Sequence, residues 1–253
     1  MQQGLQRNIN QFLLLVLVNA FVGAMVGLER SVMPEYAAER FHVNSNTALL
    51  SFIAAFGFTK AVFNFLTGSF HQCYNRKQVL LAGWVAAIPV PFLLMYAPSW
   101  AWVIAANILL GINQGLTWSS TVTMKVDLVG AKDRGLAMGI NEFAGYIAVG
   151  LSGYFATVLA HQYGAGFYPF VPGIVFAFAG LFLSWIWVKD TTAFVHHEQQ
   201  LTTTQHLAML WKQVSYKHHN LGSTTINGFI NNLNDGVIWG LLPVWLLSQQ
   251  FSI

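Results

Sequence analysis

Apolar segments about twenty residues long recur along this 253-residue chain, near 11–31, 47–69, 78–97, 100–124, 135–160, 167–188 and 225–248. A helix needs ~20 apolar residues to cross the hydrocarbon core. Inside that core every backbone N–H and C=O must be bonded within its own segment, so such runs fold as helices. The fold class that follows is an all-α membrane protein with six complete transmembrane helices and a seventh. Composition supports this, because charged residues make up only 8% of the chain, against ~25% in soluble domains. That is too few to cover a soluble surface.

Several other classes fall away. A net charge of +3 would raise nucleic acid as a partner for a soluble chain; here it reflects basic cytoplasmic loops, and none is expected. The lone Cys73 leaves no intramolecular disulfide and no Cys-rich metal site. No Gly-x4-Gly-Lys-Ser/Thr loop occurs, so an ATP-driven pump is unsupported. The first apolar run is followed by many others and reads as a span, not a cleaved signal. No cofactor or metal is expected.

The chain divides into residues 1–188, a six-helix bundle, residues 189–224, a polar linker, and residues 225–253, the first helix of a second bundle. In the linker, Leu207, Leu210, Trp211 and Val214 recur at helical spacing, which predicts an amphipathic helix on the cytoplasmic membrane face. His196, His197, His206, His218 and His219 lie in the same stretch. With no carboxylate or Cys spaced with them as a ligand set, they read as solvated residues sooner than as metal ligands.

Lys and Arg concentrate on the cytoplasmic side of multi-pass proteins. With a cytoplasmic N-terminus, that side holds Arg7, Arg76, Lys77, Lys125, Lys132, Arg134, Lys189, Lys212 and Lys217, and the outer side only Arg30 and Arg40. Pro34 is read as ending the first span, and Pro89 and Pro91 as kinking the third.

A pattern repeats every third span: Asn19-x3-Gly23-x3-Gly27, Asn107-x3-Gly111-x3-Gly115 and Asn232-x3-Gly236-x3-Gly240. Spans one and four run in opposite directions, so the first two units are inverted three-helix repeats, an architecture of secondary transporters. Residues four apart share a helix face, and two glycines there let a second backbone approach. One reading is helix packing alone. The other is a shared cavity faced by the amides of Asn19, Asn107, Asn113, Gln114, Asn231 and Asn232.

These features resemble the major facilitator superfamily. The resemblance implies two six-helix bundles, with solute passing between them along spans one, four, seven and ten. The opposite bundle is then a partner lying beyond the first six helices. The superfamily's loop between spans two and three typically reads Gly-x3-Asp-Arg-x-Gly-Arg-Lys. In "GSFHQCYNRK" Gly68, Arg76 and Lys77 match, while Gln72 replaces the Asp, Cys73 the Arg and Asn75 the second Gly. The resemblance makes Gly68, Gln72, Arg76 and Lys77 a gating loop, altered because Gln72 carries no charge to set against a helix N-terminus. Asn75 is expected to accept a left-handed turn. In the fourth span Asn107 stands where many members carry an Arg tied to proton coupling, and the fifth span has no Gly-Pro pair. "DLVGAKDRGLAMG" resembles the four-to-five loop.

Ionisable residues at membrane depth point to function. Lys60, Glu142 and Asp235 are the coupling candidates, with Asp235 also a candidate substrate contact. Lys60 and Glu142 lie at similar depth and pair if their faces meet. Glu29 and Arg30 read as outer-rim residues, and Lys125 and Asp127 as cytoplasmic-rim residues. The expected activity is secondary active transport of a small solute by alternating access, driven by an ion or proton gradient, in the cell membrane. The alternatives are a non-functional truncated piece of such a transporter and, more remotely, a polytopic membrane enzyme.

Overall fold

The structure is a computed structural model that describes residues 3–43, 46–194, 212, 215 and 217–249. It is all helical among those residues. The chain forms two compact units, Met1–Phe194 and Val195–Ile253. The stripe residues of the predicted amphipathic helix, Leu207, Leu210, Trp211 and Val214, lie outside the described residues.

In the first unit the helices are α1 (Ile9–Phe41), α2 (Asn46–Cys73), α3 (Arg76–Ala87), α4 (Pro89–Met95), α5 (Trp100–Asn113), α6 (Ser119–Val129), α7 (Arg134–Tyr163) and α8 (Val171–Ile186). The second unit contains α9 (His219–Ser248). By length and hydropathy five stretches of the described residues can cross a membrane: Ile9–Phe41, Leu50–Cys73, Arg76–Met95, Ala131–Tyr163 and Tyr168–Ile186. The fourth expected span runs as continuous helix from Trp100 to Val129, with a π-helical turn at Gln114–Trp118 inside it, and is not among those five. In α9, Asn231, Asn232, Asn234 and Asp235 lower the hydropathy of its middle.

Two proline expectations fare differently. The third span is interrupted at Ile88, before Pro89 and Pro91, with the Ile88 amide still bonded to Trp84 O at 3.3 Å. Pro34 does not end the first span. The helix runs through it to Phe41 and closes on His42 in the left-handed conformation, at φ 53°. Pro34 costs α1 one backbone bond, but packing on both sides holds the helix together: Met33, Tyr36 and Ala37 are all buried.

The inverted repeat is visible in how the glycines pack. A Cβ on Gly23 would strike the Gly145 backbone, and one on Gly27 the Val149 carbonyl and Ser152, so α1 lies directly on α7. A Cβ on Gly111 would come 2.8 Å from Phe56 O, and one on Gly115 would come 2.6 Å from Phe63 Cβ, so the fourth span lies on α2 in the same way. Span one on span five and span four on span two are the same contact, exchanged between the two three-helix units. The packing reading of the Asn-x3-Gly-x3-Gly helices is thus what their glycines do in this unit.

Candidate functional site

Close packing at those glycines sets the amides at the helix crossings. Asn19 is fully buried; its Nδ2 donates to Asn141 O (3.1 Å), and its Oδ1 accepts from Thr121 Oγ1 (2.9 Å). Asn113 Nδ2 donates to Gly83 O (3.0 Å) and to Thr117 Oγ1 (3.1 Å), and Gln114 Nε2 donates to Val22 O (3.1 Å). The π turn brings Asn113, Gln114 and Thr117 together at this junction of α1, α3 and the fourth span. The Gly115 carbonyl inside the turn accepts from Thr67 Oγ1 of α2 (3.0 Å). π-helical turns recur at functional sites. All four candidate amides of the first unit are buried and hydrogen-bonded across helices.

Glu29 departs from its expected place. Because α1 continues to Phe41, Glu29 sits twelve residues from the helix end, about 18 Å at 1.5 Å per residue. It is 2% exposed and accepts a hydrogen bond from Asn107 Nδ2. Its Oε2 is buried with no hydrogen-bond partner among the described residues. It is the one charged residue lining a small cavity with Met25, Leu28, Val90, Pro91, Leu94, Phe170 and Gly173. Arg30, beside it, is also buried, its guanidinium 4.6 Å from the centre of the Phe56 ring. Both residues are buried inside the bundle.

Lys125 also moves inward. It is 1% exposed, and Nζ donates to Leu15 O at 3.2 Å. Its ammonium lies within electrostatic reach of Glu142. With Arg30 and Lys125 taken out of the loop counts, the charge bias becomes eight against one and keeps its sign.

Lys60 and Glu142 lie on a more open face, joined through Trp118. The Lys60 ammonium is 5.9 Å from the Trp118 ring and 5.9 Å from the Phe56 ring. Trp118 Nε1 donates to Glu142 Oε1 (3.3 Å), which also accepts from Asn141 Nδ2 (2.8 Å). Tyr146, one turn beyond Glu142, meets Trp118 edge-on at 6.2 Å. The local sequence makes this arrangement possible. A side chain at position 145 would collide with the indole, so Gly145 seats Trp118 against α7. Gly111 and Gly115 hold α2, and with it Lys60, close to the fourth span.

The sequence profile of the Major Facilitator Superfamily matches residues 14–253. The chain belongs to the major facilitator superfamily. This superfamily member is similar in structure to the inward-open xylose transporter XylE from E. coli. The TM-score is 0.58 at 17% identity, covering 88% of this chain and 56% of the XylE chain. The chain thus spans little more than half the length of XylE. At that identity the likeness concerns the fold alone. A search of curated proteins found no match.

In this superfamily member the loop with the altered sequence is tied down by side-chain hydrogen bonds and an ion pair. Asn75 caps α3: its side chain accepts from Gln78 N (2.8 Å), while Gln78 Oε1 accepts from Asn75 N (3.2 Å). Such a reciprocal pair satisfies two otherwise orphaned amides. Asn75 is extended, at φ −71° and ψ 159°, and does not use the left-handed turn open to an asparagine. Arg76 Nε pairs with Asp127 Oδ2 at 3.4 Å, an oxygen that also accepts from Thr191 Oγ1 (2.8 Å). Lys77 N donates to Asp190 Oδ1 (3.2 Å), and Lys77 Nζ to Trp185 O (2.7 Å). Gly68 has open space where a side chain would go, and Gln72 is exposed. Arg76→Ala is expected to lower the stability of this unit by about 1 kcal/mol or less, because the pair is partly exposed and Thr191 still serves Asp127. A fluorescence-monitored melt of the purified variant checks this.

Asn231, Asn232 and Asp235 lie on α9 in the second unit. Asn232 Nδ2 donates to Gly228 O in its own helix at 2.9 Å. Among the described residues no group of three or more His, Cys, Asp or Glu is arranged to hold a metal ion.

The sequence passed over Trp118, Tyr146, Asn141 and Thr121, together with the depth of Glu29 and Lys125. Tyr146 carried a signal, since it follows Glu142 by one helical turn. Trp118 carried none, because contacts between spans are not written in either span.

Proposed function

We propose that this superfamily member is a secondary active permease for a small solute, working by alternating access and driven by an ion or proton gradient. It would sit in the cell membrane with its N-terminus cytoplasmic. The observation that carries this reading is the open face bearing Lys60, Trp118 and Glu142 at depth in apolar helices. A charged side chain at membrane depth costs roughly 2.5–3.5 kcal/mol or more and turns toward a protein interior or a water-filled cavity. Asp235, Asn231 and Asn232 on α9 would be further contacts for solute, with Asp235 also a coupling candidate. Glu142 is the leading coupling residue, with Lys60 beside it. Asn19, Asn107, Asn113 and Gln114 would then shape the wall from behind, and the loop from Gly68 through Gln72 to Arg76 and Lys77 would act at the cytoplasmic gate. No cofactor and no catalytic step are needed.

Uptake into proteoliposomes under an imposed pH gradient tests this. Glu142→Gln is expected to lose gradient-driven accumulation by at least about tenfold while keeping solute exchange, since an amide hydrogen-bonds but carries no proton across. Asp235→Asn separates the two coupling candidates. Accumulation at the unmodified level in both variants would remove them from the coupling machinery. Absence of any solute movement by the unmodified protein would overturn the permease reading itself.

A further inference from the structure

Two carbonyls compete for one proton at the edge of the π turn. Thr67 is buried on α2, and its Oγ1 lies 2.7 Å from Phe63 O in its own helix and 3.0 Å from Gly115 O inside the turn. Carbonyls only accept, and a hydroxyl has a single proton to give, so Thr67 fully serves one of them at a time. Gly115 O depends on that service. In an α-helix the Ser119 amide would bond Gly115 O, four residues back; here it bonds Leu116 O. Phe63 O does not depend on it, because within α2 it lies one regular helical bond from the Thr67 amide. A second hydroxyl is shared at the far end of the turn: Thr121 Oγ1 lies 2.9 Å from Trp118 O and 2.9 Å from Asn19 Oδ1.

We propose that Thr67 is a positioning residue for Glu142: its bond to Gly115 O holds the π form of the turn, and its release lets the turn close into α-helix and carry Trp118 off the carboxylate. The inference rests on the permease reading and names the moving element at the same site. In the α form Ser119 N takes Gly115 O while Thr67 turns to Phe63 O, so Gly115 O has a donor in both forms. An even exchange of bonds is what gives a packed element two discrete arrangements. Trp118 is the last residue of the turn. Closing the turn swings its side chain by up to about 100°, the angle of one residue at 3.6 per turn. The indole then gives up its bond to Glu142 Oε1, which keeps Asn141 Nδ2. Gly145 presents no side chain to block the ring as it leaves α7. Glu142 is thus covered by the indole in one form and uncovered in the other. A solute or proton that binds only the uncovered carboxylate shifts the turn toward α-helix.

The test is fluorine NMR of the full chain labelled with fluorotryptophan and held in lipid nanodiscs. Among the nine tryptophans, Trp118 is assigned by the signal lost in Trp118→Phe and Trp84 by the signal lost in Trp84→Phe. Trp118 should show two forms in microsecond-to-millisecond exchange. Trp84, fully buried with its ring over Gly180, should give one line. Thr67→Val keeps the shape of the side chain but leaves Gly115 O without its donor in the π form alone. It should shift the Trp118 populations toward the second form about fivefold, the size of one ordinary hydrogen bond. Thr67→Ser keeps the hydroxyl and should keep the unmodified populations, which separates positioning from damage to packing. A Trp118 line without exchange, or the same populations in Thr67→Val as in the unmodified protein, overturns the proposal. Solute movement by the unmodified protein in proteoliposomes is read separately: it decides the permease reading, while the Trp118 lines decide this one.

Discussion

Gly27→Val is expected to leave little folded protein to purify. A side chain at position 27 meets the Val149 carbonyl and Ser152 on α7, and the first of these is backbone and cannot swing away. Relief requires α1 and α7 to separate along the α1 face that also buries Val22, Gly23 and Val26. Overpacking a well-packed interior costs roughly 1–3 kcal/mol where side chains can adjust. Here only the helix axes can adjust, so a loss of about 3 kcal/mol or more is expected. Gly150→Val on α7 is the matched control, because nothing lies within 4 Å of the position its side chain would take. Size-exclusion profiles and melts of the two variants in detergent check the contrast. Equal behaviour would mean that α1 and α7 do not meet at Gly27.

Asn107→Leu has the second large effect. It removes the sole hydrogen bond to the Glu29 carboxyl among the described residues and leaves both oxygens buried in an apolar cavity. Leaving a buried polar group without its hydrogen bond costs about 1–3 kcal/mol, and more where the group is charged. The double variant Glu29→Met with Asn107→Leu should recover most of that, since replacing both members with apolar groups of similar size removes the orphaned group. A double-mutant cycle in melting temperature measures it. Additive losses would show that the two residues do not interact across spans one and four.

Much of the architecture was legible in the sequence, because hydrocarbon imposes one rule on every span. Apolar length gave the helices, and the Asn-x3-Gly-x3-Gly spacing gave the inverted repeat that the Gly27–α7 and Gly111–α2 contacts then display. Helix ends were less legible. Pro34 is a stop signal when read locally, yet packing around Met33 and Tyr36 carries α1 past it, and that extension turns Glu29 from a rim residue into a buried one. Lys125 was misplaced for a related reason: four residues of α6 follow it before Gly130 ends the helix, and its Nζ bonds the Leu15 carbonyl of α1. The candidate site was legible only in its charged members. Lys60 and Glu142 stand out in apolar runs, but nothing in either span announces that Trp118 joins them. That contact depends on Gly145 making room and on the π turn's placement of the indole.

The central claim is that the face bearing Lys60, Trp118 and Glu142 lines water and not lipid. Cysteine accessibility in native membranes tests it most directly. With Cys73 replaced by Ser, single cysteines at Asn64 and Tyr146 should react with a charged, membrane-impermeant thiol reagent. Cysteines at Val175 and Phe178, on the apolar outer face of α8, should stay unmodified. Modification at the α8 positions with none at positions 64 and 146 would contradict the account.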